Sequence, residues 1–136
     1  MKHPTSKAEF DEILSACSAA GRNVIVDFTA TWCGPCQRIA PAFEALSTEF
    51  PWCEFVKVDV DVNQETAMAC QISAMPTFKV FRGSVEVGSL RGASPDALRE
   101  LVERHTGSRP AVRDPAGELA ARQAAQREAL KMLLAV

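Results

Sequence analysis

Cys33 and Cys36 stand three positions apart in TATWCGPCQRI, residues 29–39, with Gly34 and Pro35 between them and Trp32 just before. Two thiols so spaced can do three things. They can clip a metal, close a structural disulfide, or cycle between dithiol and disulfide. A structural zinc site needs four ligands, usually two such pairs or one pair plus histidines. The chain has no second Cys-x-x-Cys, and its only histidines are His3 and His105. A structural bridge across so short a loop would constrain the unfolded chain little, because loop-closure entropy grows with loop length. Redox cycling fits the surroundings best.

The elements around the pair explain why. Val24 to Phe28, VIVDF, is a short and nearly continuous apolar run with β-branched residues. It predicts a strand buried on both faces, central in a mainly parallel sheet. Ile39, Phe43, Leu46 and Phe50 then predict a helix that starts just after CGPC. Pro41 inside it removes a backbone donor and should kink it. Cys33 is thereby placed at or just before a first helical turn, where unpaired N–H groups and the positive dipole end favour a thiolate. The thiolate is the attacking species, so Cys33 is the predicted nucleophile. Cys36 is one turn on and faces the protein, ready to attack a mixed disulfide from inside. Gly34 permits close approach of a partner backbone, and Pro35 stiffens the turn. A Cys-x-x-Cys beside a β-α-β pattern is a redox signature.

The rest of the chain must hold this turn in place. SKAE at 6–9 reads as a capping box. Phe10, Ile13, Leu14 and Cys17 follow as one apolar helical stripe, which makes Cys17 a core residue. Residues 55–60 predict a second strand and residues 63–70 a short helix. Residues 77–81 and 85–87 predict a hairpin turning through 82–84. Ser94 and Pro95 read as an N-cap and first helical residue, followed by the stripe Leu98, Leu101, Val102 and His105, closed by Gly107. Strands alternating with helices imply a parallel sheet between helices, with one antiparallel hairpin at its edge.

Length and composition allow one domain with a real core. The chain has 136 residues and is 47% hydrophobic. A net charge of −2 offers no footprint for nucleic acid or an anionic membrane. No run of about 18 apolar residues predicts a membrane span. MKHPTSKAEFDEIL lacks an apolar h-region, so no secretory signal is expected there, and the cytoplasm is the expected compartment. Disulfides there are mostly transient and catalytic. The cysteines number five, and an odd count argues against a complete disulfide framework.

Three stretches, VDFTATWCGPCQRIAPAFEALS, VKVDVD and AMPTFKVFRG, in this order and spacing resemble the thioredoxin family over about residues 5–106. The resemblance implies the thioredoxin fold, an α/β architecture with a central mixed sheet of four to five strands flanked by helices. It implies a protein disulfide reductase, working by dithiol–disulfide exchange through a redox-active Cys33–Cys36 disulfide. The Gly-Pro pair looks like that of disulfide-reducing members rather than of the oxidising isomerase relatives. Asp27, a carboxylate in an otherwise apolar strand, becomes the general base for Cys36, acting through water. Lys57 in the neighbouring strand becomes its partner and tunes its charge. Met75-Pro76 becomes a cis-proline turn, with the Met75 backbone pairing to an extended substrate segment. Trp32, Gly34, Pro35, Met75, Pro76, Gly92 and Ala93 together form a flat apolar patch that receives disulfide-containing target proteins. No cofactor and no metal is implied, since the two thiols carry the electrons. A thioredoxin reductase or an equivalent low-molecular-weight thiol system would return the pair to the dithiol.

Some features depart from the family or stay open. MKHPTS with Pro4 offers only an abbreviated first strand, or none. Residues 1–107 form the predicted thioredoxin domain, and residues 108–136 a linker and a C-terminal extra helix over about 115–135. That extension has three readings. It is idle, it packs on the domain or on a second copy through Leu130, Leu133 and Leu134, or it binds a dedicated partner and makes the chain an adaptor. Cys70 is either a passive helix cysteine or a site of oxidation, nitrosylation or dimer bridging. Cys53 opens a strand, and no role is assigned to it. Trp52 is expected to cover an edge.

Overall fold

The predicted first stripe forms α1 (Lys7–Ala19), and Ser6 is its N-cap, its Oγ accepting from the Glu9 N–H at 3.1 Å. Only half of the capping box forms. The Glu9 carboxylate accepts from the Thr5 N–H at 3.3 Å and the Thr5 hydroxyl at 3.0 Å, because Thr5 offers two donors to its two oxygens. The structure is a computed structural model, and it describes residues 1–106. Gly107, the linker and the C-terminal helix read from the sequence lie outside the described residues.

The elements that follow are β1 (Val24–Thr29), α2 (Gly34–Glu49), β2 (Glu54–Asp59), α3 (Gln64–Ala69), β3 (Thr77–Arg82), β4 (Val85–Arg91) and α4 (Pro95–Thr106). They build one mixed sheet in the order β2-β1-β3-β4. Only β1 and β2 run parallel; β1–β3 and β3–β4 are antiparallel. The expected mainly parallel sheet is therefore corrected, and helix length gives the reason. The 16 residues of α2 span about 24 Å, enough to return the chain along a strand of roughly 20 Å. The six residues of α3 span only about 9 Å, so β3 starts near the end where β2 finished and runs back.

The first strand is abbreviated, as the sequence allows, and one later element is longer than expected. A separate first strand shrinks to a bridge, in which Lys2 pairs with Val56 through Lys2 N–H to Phe55 O at 3.3 Å and Lys57 N–H to Lys2 O at 2.9 Å. Pro41 lies inside α2, where its missing N–H removes one ladder bond. The longer element is β4, which reaches Arg91, four residues past its expected end. Gly88 lies in that extension because the chain crosses closely under α4. A Cβ there would meet His105 Nε2 at 2.5 Å and Leu101 Cδ1 at 3.1 Å.

Each sheet face carries its own core. Ile25, Phe55, Phe78 and Val80 pack with Ile39, Phe43 and Leu46 of α2 and with Leu98, Leu101 and Val102 of α4. On the other face, Val24, Val26, Phe28, Val56 and Val58 pack with Phe10, Leu14 and Cys17 of α1. Phe43 stands at the first core's centre, its ring centroid 5.4 Å from that of Phe55 and 5.7 Å from that of Phe78. Cys53 belongs to this core and is buried, its side chain packing in the α2–α4 cluster. Trp52 is half-buried against the same cluster, edge-on to Phe50 at 5.4 Å. Ser94 caps α4 as predicted, its Oγ accepting from the Ala97 N–H at 3.2 Å.

Candidate functional site

β1 ends at Thr29, and α2 begins five residues later, at Gly34. Cys33 occupies the N-cap with φ −85° and ψ 110°, the extended conformation that position requires. Its Sγ accepts from the Cys36 N–H at 3.2 Å, and its carbonyl accepts from the Gln37 N–H at 3.2 Å. A cysteine thus does the work that Ser or Asp does at most helix starts. Cys33 and Cys36 are joined as a disulfide with Cα atoms 5.3 Å apart. Both are buried, in a small cluster with Ala30, against which Val60 and Met75 pack. The Gln37 side chain braces the turn by donating to the Thr31 carbonyl at 3.1 Å.

The loop before β3 closes over the pair. The Met75–Pro76 bond is cis, and the Met75 carbonyl oxygen lies 3.8 Å from Cys33 Sγ. Thr77 Oγ1 donates to the Ala74 carbonyl at 2.7 Å. Gly92 donates its N–H to the Pro76 carbonyl at 3.0 Å and has φ +103°, a left-handed geometry that disfavours side chains. Pro76 is buried, Met75 and Pro35 are half-buried, and Gly34 and Gly92 are exposed. Ala93 is half-buried against the α2–α4 core.

Trp32 is 67% exposed, so it is no core residue. Its indole N–H donates to Asp61 Oδ2 at 2.8 Å. Asp59 Oδ1 in turn accepts from the Asp61 N–H at 2.9 Å. Sequence reasoning missed Asp61 and Asp59. VDVDV shows only a strand end rich in carboxylates, and nothing in its spacing points 29 residues back to Trp32.

Asp27 is 1% exposed and stands across from Lys57 on β2 and Phe78 on β3. Side chains alternate along a strand, so Asp27 shares the face of Ile25, the face that α2 covers. That places it beneath the helix that carries Cys36. Burial pushes its carboxyl up to about 7, and the positive charge of Lys57 opposes the rise. Its Oδ1 has no hydrogen-bond partner. Lys57 does not ion-pair with Asp27. Its Nζ reaches Glu44 Oε1 on α2 at 3.4 Å. The expected partnership is therefore one of register and field, not of contact.

Cys70 is the C-cap of α3 and packs half-buried against the α1 side of the sheet. Burial pushes its thiol up, which leaves less thiolate at neutral pH. Among the described residues no three His, Cys, Asp or Glu side chains converge as a metal site, and no helix is long and apolar enough to cross a membrane.

Known proteins carry the same arrangement. Residues 2–104 match the Thioredoxin family model. Thioredoxin of Geodia cydonium is 46% identical over 101 residues, covering 74% of this chain and 93% of that protein. Thioredoxin 1 of Plasmodium falciparum is 46% identical over 105 residues, covering 77% and 97%. A solved structure of Plasmodium falciparum thioredoxin superposes with a TM-score of 0.72, covering 77% of this chain and 99% of that one. With a matching fold, a Cys33–Cys36 pair at a helix start and relatives aligned over nearly their whole length, the chain belongs to the thioredoxin family, oxidoreductases that act on protein disulfides.

Proposed function

We propose that this protein reduces disulfides of target proteins with Cys33 as nucleophile and Cys36 as resolving thiol. The observation that carries this is the N-cap position of Cys33, whose sulfur accepts the Cys36 N–H at the positive end of α2. Negative charge on that sulfur is favoured there. The Cys33 thiolate attacks one sulfur of the target disulfide. The target S–S bond breaks, a Cys33–target bond forms, and the departing sulfur takes a proton. Cys36 then loses its proton to Asp27 and attacks Cys33 Sγ. The second target thiolate leaves and is protonated, and the Cys33–Cys36 disulfide remains. Two electrons have passed to the target.

Asp27 suits its part because a buried carboxyl titrating near 7 can take and return a proton at neutral pH. Lys57 moderates it. Trp32, Gly34, Pro35, Met75, Pro76, Gly92 and Ala93 form the target-binding surface, and the Met75 backbone pairs with an extended segment of the target. A flavoprotein thioredoxin reductase or a low-molecular-weight thiol system returns the electrons. We place this electron transfer in the cytoplasm, where a thiol pool keeps such pairs reduced. Trapping tests the order of attack. Cys36→Ser should accumulate a mixed disulfide through Cys33, visible as an adduct by mass spectrometry after exposure to oxidised insulin. An adduct on another cysteine, or none, would contradict the assignment.

A further inference from the structure

Lys57 is two residues along β2 from Phe55, which packs in the α2–α4 core, so both side chains leave the sheet on that face. Its backbone is in register with Asp27. Its ammonium nevertheless ends at Glu44, because β2 is an edge strand and α2 lies over its rim. The Lys57 side chain is 17% exposed and that of Glu44 is 63% exposed. One end of the ion pair is therefore nearly out of water and the other is in it.

We propose that Glu44 is a positioning residue for the exchange reaction: by pairing with the Lys57 ammonium it limits the positive charge that reaches the Asp27 carboxyl. This rests on the proton-handling role of Asp27. Few other groups compete for that carboxyl. From β3 the residue facing Asp27 is Phe78, which is apolar. From β2 it is Lys57. From α2 the titratable groups are the cysteine pair at its start, Arg38, Glu44, which pairs with Lys57, and Glu49, which pairs with Arg99 of α4. Lys57 is the charge that opposes the effect of burial on Asp27. An ammonium tied to a carboxylate presents a dipole rather than a full charge, so its field at Asp27 is weakened. An exposed ion pair adds little stability by itself, and at 3.4 Å this one need not be structural. Its effect on the third group is what distinguishes it.

Glu44→Gln keeps the shape of the side chain and removes its charge. In that variant Lys57 acts on Asp27 unopposed. The midpoint of the Asp27 carboxyl titration, followed by carboxyl-carbon NMR on the reduced full-length protein, should move acidward by roughly half a unit, the size of a partly screened neighbouring charge. The pH profile of the turnover should move with it. The same substitution made on top of Lys57→Met should move neither, because Glu44 acts through Lys57. A midpoint that stays put in Glu44→Gln, that moves alkaline, or that moves equally without Lys57 overturns the proposal. Retained disulfide reduction with no shift would remove this inference alone. Loss of Cys33-dependent reduction in the unmodified protein would remove the functional reading beneath it.

Discussion

Asp27 and Lys57 face each other across β1 and β2, yet the Lys57 ammonium pairs with Glu44 and leaves the buried carboxyl without a salt bridge. A carboxyl in that position is held neutral at a cost to the fold, and the sign of that cost is testable. In the unfolded chain Asp27 titrates near 3.8; in the fold burial lifts it to about 7. Below both values each state is protonated and nothing is lost. Between them the folded state holds a proton that the unfolded state has released, so stability falls as pH rises, and the loss is complete above about 7. A rise of about three units corresponds to a loss on the order of 4 kcal/mol. Asp27→Asn should therefore be more stable than the parent in urea at pH 8.5, with the gap closing towards pH 4. Both proteins would be compared with the cysteine pair oxidised. A gap that does not change with pH would contradict the burial account.

Trp32 should separate binding from folding. Its ring is exposed, and its single hydrogen bond reaches Asp61 at the surface. Trp32→Ala should leave the melting temperature nearly unchanged, as surface substitutions usually do. It should lower kcat/KM for a protein disulfide roughly tenfold, equivalent to about 1.4 kcal/mol of transition-state binding. Unchanged kinetics would remove Trp32 from the target surface.

Gly88 is a structural test far from the chemistry. An added methyl meets His105 and Leu101, so Gly88→Ala should cost about 1–3 kcal/mol by chemical denaturation. Combining it with His105→Ala should recover at least half of that loss, because the nearest obstacle is the imidazole. An additive double variant would mean that the strain arises elsewhere.

Local signals carried much of this fold. VIVDF became the central strand, CGPC a helix start with Cys33 at its N-cap, and Ser94 the cap of α4. Cys17 was legible as core from its stripe. What stayed hidden depends on non-local geometry. The reversal of β3 depends on the shortness of α3, and β4 looked short because Gly88 and Ser89 are poor strand formers. The burial of Cys53 comes from the α2–α4 cluster, which its place at a strand opening does not show. At the site, the cysteine pair was legible from its spacing and its place at a helix start, and Asp27, Trp32 and the proline turn through family resemblance. Asp61 and Glu44 were not, because each is an unremarkable surface acid until the fold brings it to Trp32 or to Lys57.

The most direct measurement is insulin-disulfide reduction with dithiothreitol as electron source, on the intact protein and on Cys33→Ser. A nucleophilic Cys33 predicts turnover well above the dithiothreitol background for the intact protein and none above it for the variant. Turnover that survives in Cys33→Ser, or a folded intact protein no faster than dithiothreitol alone, would contradict it.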